Sequence, residues 1–161
     1  LTVGRCLQKG LRLFGVDVEL SRGRVGSGHR AACFASTSRS EITVRGRKLV
    51  GSAQRRIRGA LLQHGSLLVG GQHQLLAEIV EEESVASIEA SAIHLKQLLS
   101  EVDMDTLARR VAEGFAEELG VTLQPGDLSQ EEQLRADELE NVKYGSHDHL
   151  HRRQTAASID S

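Results

Sequence analysis

Several side chains in this sequence are of types that do covalent or electrostatic work. Cys33 lies within residues 21–40, a stretch rich in Gly, Ser and Arg. The thiolate is the nucleophilic form of cysteine, and nearby cations such as Arg30, Arg39 and Lys48 favour it. The same thiol beside Phe34 also fits a small hydrophobe that anchors the loop, and spacing alone favours that plainer role. Lys48 follows an Arg45-Gly46 turn and precedes Gly51-Ser52-Ala53. If a ligand lay along those small residues, the ammonium would stabilise an oxyanion or hold a phosphate; otherwise it is a solvated strand lysine. His64, in His64-Gly65-Ser66, is flanked by Leu61-Leu62 and Leu67-Leu68, which favours a core histidine over a general base. No aspartate is spaced to complete a triad with it. Cys6 falls in a helical pattern and reads as structural. Arg55, Arg56 and Arg58 form a small basic cluster that faces an acidic partner or solvent. His147, His149 and His151 alternate in a polar tail without fixed geometry, so no metal site is expected.

The elements that must position these groups follow from periodicity. Val3, Leu7, Leu11 and Phe14 predict a helix over residues 1–14 ending at Gly15, although Gly4 and Gly10 weaken it. Val16 to Leu20 alternates as a half-buried strand does. Residues 21–40 form a long loop, a place where function concentrates. A three-strand meander follows. Ile42–Val44 turns at Arg45-Gly46, Lys48–Ile57 turns at Arg58-Gly59, and Ala60–Val69 returns. The Gly51-Ser52-Ala53 step packs poorly as strand and suits close approach of a ligand or another backbone. Residues 75–80 fit a strand or a helical turn, and 93–99 a short helix. A stronger helix is capped by Asp103, carries Leu107, Val111, Phe115 and Leu119 on one face, and ends at Gly120. Val121–Leu123 resembles a short strand. Ser129 with Glu132 makes a capping box for a helix reaching Val142.

Composition bounds the class. The chain has 161 residues, 39% of them hydrophobic, enough for one domain with a real core. Lys plus Arg is 20 against 22 for Asp plus Glu, a net charge of −2, and aromatics are scarce. Neither balance suits a nucleic-acid binder. No apolar run approaches a membrane span. Two cysteines make no disulfide framework, so a reducing cytoplasm is the expected compartment.

Three blocks in order resemble the biotin/lipoate protein ligase family: Ala32-Cys33-Phe34 leading to Ser40-Glu41-Ile42-Thr43-Val44, then Gly46-Arg47-Lys48-Leu49-Val50-Gly51-Ser52-Ala53-Gln54, then Leu62-Gln63-His64-Gly65-Ser66. Within that family the likeness is greatest to the cysteine-dependent octanoyltransferases and the lipoate–protein ligases. It extends over Phe115–Val121 and Lys143-Tyr144-Gly145-Ser146. The family's Arg-Arg-x-Thr-Gly-Gly segment does not occur here, so the chain resembles the C-terminal portion of the catalytic domain, over 1–144, with a polar tail over 145–161. In place of a frequent tail Trp it has His147-Asp148-His149.

The resemblance implies an α+β fold of the class II aminoacyl-tRNA synthetase and biotin ligase type, with a mixed or antiparallel sheet, packed helices and an acyl-binding tunnel. It makes Cys33 the acyl acceptor and Lys48 the contact to the acyl carbonyl or to an adenylate phosphate. It puts Gly51, Ser52, Ala53, Gln54, His64 and Gly65 at the substrate. The expected function is octanoyl transfer from acyl carrier protein to a lysine of a lipoyl-accepting protein, such as the H protein of glycine cleavage, through a cysteine acyl-enzyme and without a cofactor. An ATP- and Mg-dependent lipoate–protein ligase is the alternative. An amidotransferase is a close variant of the cysteine route, and a non-catalytic binding fragment is the third possibility.

Overall fold

The computed structural model describes residues 2–21, 41–57, 59–75 and 85–146. Cys33, most of the 21–40 loop, residues 76–80 and the histidines of the tail lie outside the described residues. The chain forms two compact units, Leu1–Leu123 and Gln124–Ser161.

The first unit opens with helix α1, Thr2–Leu13. Its last turn closes where Gly15 adopts φ 96°, a conformation glycine takes without a Cβ penalty. Val16 and Val18 are buried and the residues around them are not, as the alternation predicts. Sheet pairing nevertheless begins only at β1, Glu19–Leu20. The Val18 carbonyl is taken by α1 side chains, Gln8 Nε2 at 3.1 Å and an Arg12 guanidinium nitrogen at 3.0 Å, and this ties the segment to the helix rather than to a strand.

The sheet is antiparallel, in the order β1-β2-β3-β4, with β2 at Ile42–Val44, β3 at Arg47–Ile57 and β4 at Ala60–Leu67. Arg45 and Gly46 both have positive φ, 51° and 77°, the turn that matches strand twist in a two-residue hairpin. Beyond β4 the chain makes a 3-10 turn at Gly71–Leu75 and a short helix α2, Val85–Ser91, where no helix is expected from the sequence pattern. The helix expected over 93–99 shrinks to a 3-10 turn at Leu95–Gln97. The Leu95 and Lys96 N–H groups donate to the Leu68 and Val69 carbonyls, so this stretch pairs with the end of β4.

Helix α3, Met104–Leu119, is capped as predicted: Asp103 accepts the Thr106 N–H at 2.9 Å and Gly120 ends it at φ 66°. It lies antiparallel to α1, with Lys9 Nζ 2.8 Å from the Glu117 carboxylate and Arg5 near Glu118. A β-carbon on Gly114 would sit 2.3 Å from the Gly10 nitrogen and 2.6 Å from the Cys6 carbonyl oxygen. The glycine that weakens α1 as an isolated helix is therefore what lets the two backbones touch. The cost of each glycine, about 1 kcal/mol against Ala, is offset by that contact. Cys6 is fully buried in this seam, and burial, with Glu118 nearby, pushes its thiol pKa up, as suits a structural cysteine. Leu119 is half exposed rather than on the core face. At about 100° per residue it has turned roughly 120° from Leu107.

Leu11, Val18, Ile42, Leu49, Val50, Ile93, Leu95 and Leu107 form the core between helices and sheet. Val121–Leu123, expected as a strand, is an exposed segment without regular secondary structure. In the second unit, α4 at Gln130–Leu139 starts from the predicted Ser129/Glu132 capping box and continues as a wider π turn at Glu140–Tyr144. Among the described residues no helix is long and apolar enough to cross a membrane.

Candidate functional site

The register of the sheet decides where Lys48 points. Ile42 stands opposite Val50, yet Thr43 stands opposite Lys48, so β3 has one extra residue, Leu49, at this step. A bulge of this kind reverses the alternation of faces along the strand that carries it. One face thus shows the apolar row Leu20, Ile42, Val50 and Leu67, which packs against the helices. The other shows Glu19, Thr43 and Lys48. Beyond the bulge, the Lys48 face carries Gly51 and Ala53 with their partners Ser66 and His64.

Lys48 is not the solvated strand lysine of the plainer expectation. It is 3% exposed, and its Nζ lies 2.8 Å from the Glu41 carboxylate, itself 5% exposed. Thr43 completes a group of buried polar side chains on that face. A buried ammonium needs a counter-charge, and a carboxylate one residue before β2 supplies it. The Lys48 backbone is also held, its carbonyl accepting the Ile93 N–H at 2.9 Å.

The remaining candidates divide between the two faces. Gly51, Ala53 and His64 share the Lys48 face, with Ala53 and His64 exposed. His64 is thus not the core histidine that its leucine neighbours suggest, because Leu61 and Leu62 are themselves exposed. Ser52, Gln54 and Gly65 lie on the opposite face. There Gln63 accepts from Gln54 at 3.0 Å and donates to the Ser52 hydroxyl, a polar ladder along the hairpin. Gly65 is required by the backbone, since a β-carbon on it would come within 2.6 Å of the Gly51 carbonyl oxygen. Glu41 is missing from the candidates drawn from sequence. Its signal was an acid at the threshold of a β-branched strand, across a hairpin from a lysine. A cavity of about 210 Å³ lined by Val16, Asp17, Val44, Arg45 and Leu98 contains none of the candidate residues. Among the described residues no cluster of three His, Cys, Asp or Glu side chains is placed to hold a metal ion.

A face with one fixed, buried ammonium beside residues of minimal side chain suits an acyl or phosphoryl group whose chain runs over Gly51 and Ala53. The model of the lipoyl protein ligase A/B catalytic domain matches residues 2–116. The chain belongs to this family. It is 39% identical over 147 residues to the octanoyltransferase LipM of Kyrpidia tusciae, covering 83% of this chain and 54% of that protein. The fold matches that of a lipoate-protein ligase A crystallised with ATP, at a TM-score of 0.74 and 21% identity over 91% of this chain and 56% of the other. It also matches the bipartite lipoate protein ligase of Thermoplasma acidophilum, studied with its E2 lipoyl domain, at a TM-score of 0.70 and 19% identity over 92% and 55%. The chain thus spans little more than half the length of these lipoyl ligase family members. The α+β class expected from sequence, an antiparallel sheet with packed helices of the lipoate ligase type, is the fold observed.

Proposed function

We propose that this chain forms part of an octanoyltransferase that works through a cysteine acyl-enzyme. The Cys33 thiolate attacks the thioester carbonyl of an octanoylated acyl carrier protein. A carbon–sulfur bond to Cys33 forms and the carrier's thiolate departs, taking up a proton. The ε-amine of a lysine on a lipoyl-accepting domain then attacks the new thioester. An amide forms, the Cys33 thiolate leaves, and the amine gives up its proton. In both steps negative charge builds on the carbonyl oxygen, and the Lys48 ammonium is the group that meets it. Gly51 and Ala53 leave room for the acyl chain, and His64 and Ser66 border it on β4. The carrying observation is the fixed Lys48 charge on the face that bears those small residues. The relative named octanoyltransferase supports the same reading. The route draws on no cofactor, and a free thiol of this kind belongs in a reducing cytoplasm.

A second reading, an ATP-dependent ligase that makes a lipoyl adenylate, is favoured by the fold's likeness to an ATP-bound ligase. There Lys48 would meet the adenylate phosphate and Cys33 would be idle. The test supplies the full-length protein with either octanoyl carrier protein or free octanoate plus ATP and Mg, and follows acylation of a lipoyl domain. Transfer from the carrier thioester without ATP is expected. Acylation only with ATP, with release of pyrophosphate, would establish the ligase instead.

A further inference from the structure

We propose that Glu41 is a positioning residue for Lys48: it touches no substrate, and sets where the ammonium sits and which way its N–H groups point. The inference rests on the acyl-transfer reading of Lys48 and goes beyond it by assigning a task to a residue outside the acyl slot. Both partners stand on fixed backbone. The Glu41 carbonyl accepts the Ser21 N–H at 2.8 Å, Ile42 pairs with both β1 and β3, and Lys48 is opposite Thr43 with its own carbonyl bonded to Ile93. The carboxylate and the ammonium meet at 2.8 Å with almost no water access. A lysine side chain has four rotatable bonds and a compact point charge, so its backbone alone does not fix its tip. A short bond to a carboxylate does, on the face that also carries Gly51 and Ala53. Two apolar side chains would fill the same space at β2–β3 at lower cost in desolvation. The pair therefore makes sense as a device for holding a charge in a defined place.

The experiment compares wild type, Glu41→Gln and Glu41→Asp in the full-length protein, measuring kcat and KM for octanoyl transfer alongside thermal melting. Preorganised charge acts on the transition state more than on substrate binding, so Glu41→Gln should lower kcat by roughly 100-fold while KM moves by less than about threefold. Glu41→Asp keeps the charge one methylene short and should recover kcat only in part, to roughly three- to tenfold below wild type. A Glu41→Gln protein that folds and keeps kcat within about threefold of wild type would overturn the inference. So would a loss confined to melting temperature, with kcat per folded molecule unchanged. If Glu41→Gln fails to fold, Glu41→Asp decides: a clear kcat loss with KM and melting preserved supports the role, and wild-type kcat refutes it. If wild type itself transfers nothing from the carrier thioester, the transferase reading has failed and the inference falls with it. That result is distinct from an active wild type that is indifferent to Glu41.

Discussion

Lys48 and Ala53 share one face of β3, although their odd spacing would put them on opposite faces of a regular strand. The extra residue at Leu49 reverses the alternation between them. Without it Lys48 would join Val50 on the helix-packed face, and its charge would enter the apolar core.

That shared face predicts an effect on chain length. Ala53 is exposed, so Ala53→Leu should change stability by no more than about 0.5 kcal/mol. On the proposed route the added side chain fills the path of the acyl group. Octanoyl transfer should fall by roughly tenfold or more relative to butyryl transfer, a penalty of the size expected for a blocked apolar pocket. Competition between the two acyl carriers, read by mass of the acceptor, checks this; an unchanged ratio would put the acyl chain elsewhere.

The Glu41–Lys48 pair predicts a non-additive double mutant. Lys48→Met leaves a buried carboxylate without that partner and should cost about 3–5 kcal/mol in denaturant unfolding. Combining it with Glu41→Met should return most of that stability, because two apolar side chains replace two desolvated charges. Additive losses in a urea double-mutant cycle would show the two groups to be independent.

Gly114 predicts a steric penalty. Its absent β-carbon would fall within 2.3 Å of backbone, which cannot yield as a side chain can. Gly114→Ala should destabilise the first unit by roughly 2–3 kcal/mol despite alanine's better helix propensity. Chemical denaturation monitored by far-ultraviolet circular dichroism measures it, and an equal or higher midpoint would contradict the close α1–α3 seam.

Asp103 predicts a pH effect. The hydrogen bond from Thr106 holds its carboxyl below the usual aspartate value of 3.8. A depressed folded-state value stabilises above the unfolded value, and the contribution fades as pH falls through the folded one. The melting advantage of wild type over Asp103→Ala should be full at pH 6 and shrink steadily below about pH 4. An advantage that persisted at the acid end would assign the cap's contribution to something other than the carboxylate.

The parts of the fold written in local chemistry were legible in the sequence: the Asp103 cap, the Gly120 stop, the Ser129/Glu132 capping box and the Arg45-Gly46 turn. Each depends on residues within a few positions of one another. What escaped depends on distant partners. The 16–20 strand is shortened because Gln8 and Arg12 claim the Val18 carbonyl. The Leu49 bulge shows only when β2 is laid against β3. For the candidate site, the family resemblance named Lys48 and its small-residue neighbours, whereas residue type alone favoured a solvated strand lysine. The burial of Lys48, and Glu41 as its partner, did not emerge, because an acid before one strand becomes the partner of a lysine on the next only when β2 is laid against β3. Cys33 lies outside the described residues.

The most direct test of the acyl-enzyme route is intact-mass and peptide analysis of the full-length protein incubated with octanoyl carrier protein and no acceptor. One octanoyl group should appear on the Cys33 peptide, disappear on adding a lipoyl domain, and never form in Cys33→Ala. A Cys33→Ala protein that still acylates the lipoyl domain at the wild-type rate, with no octanoyl adduct formed at any stage, would contradict it.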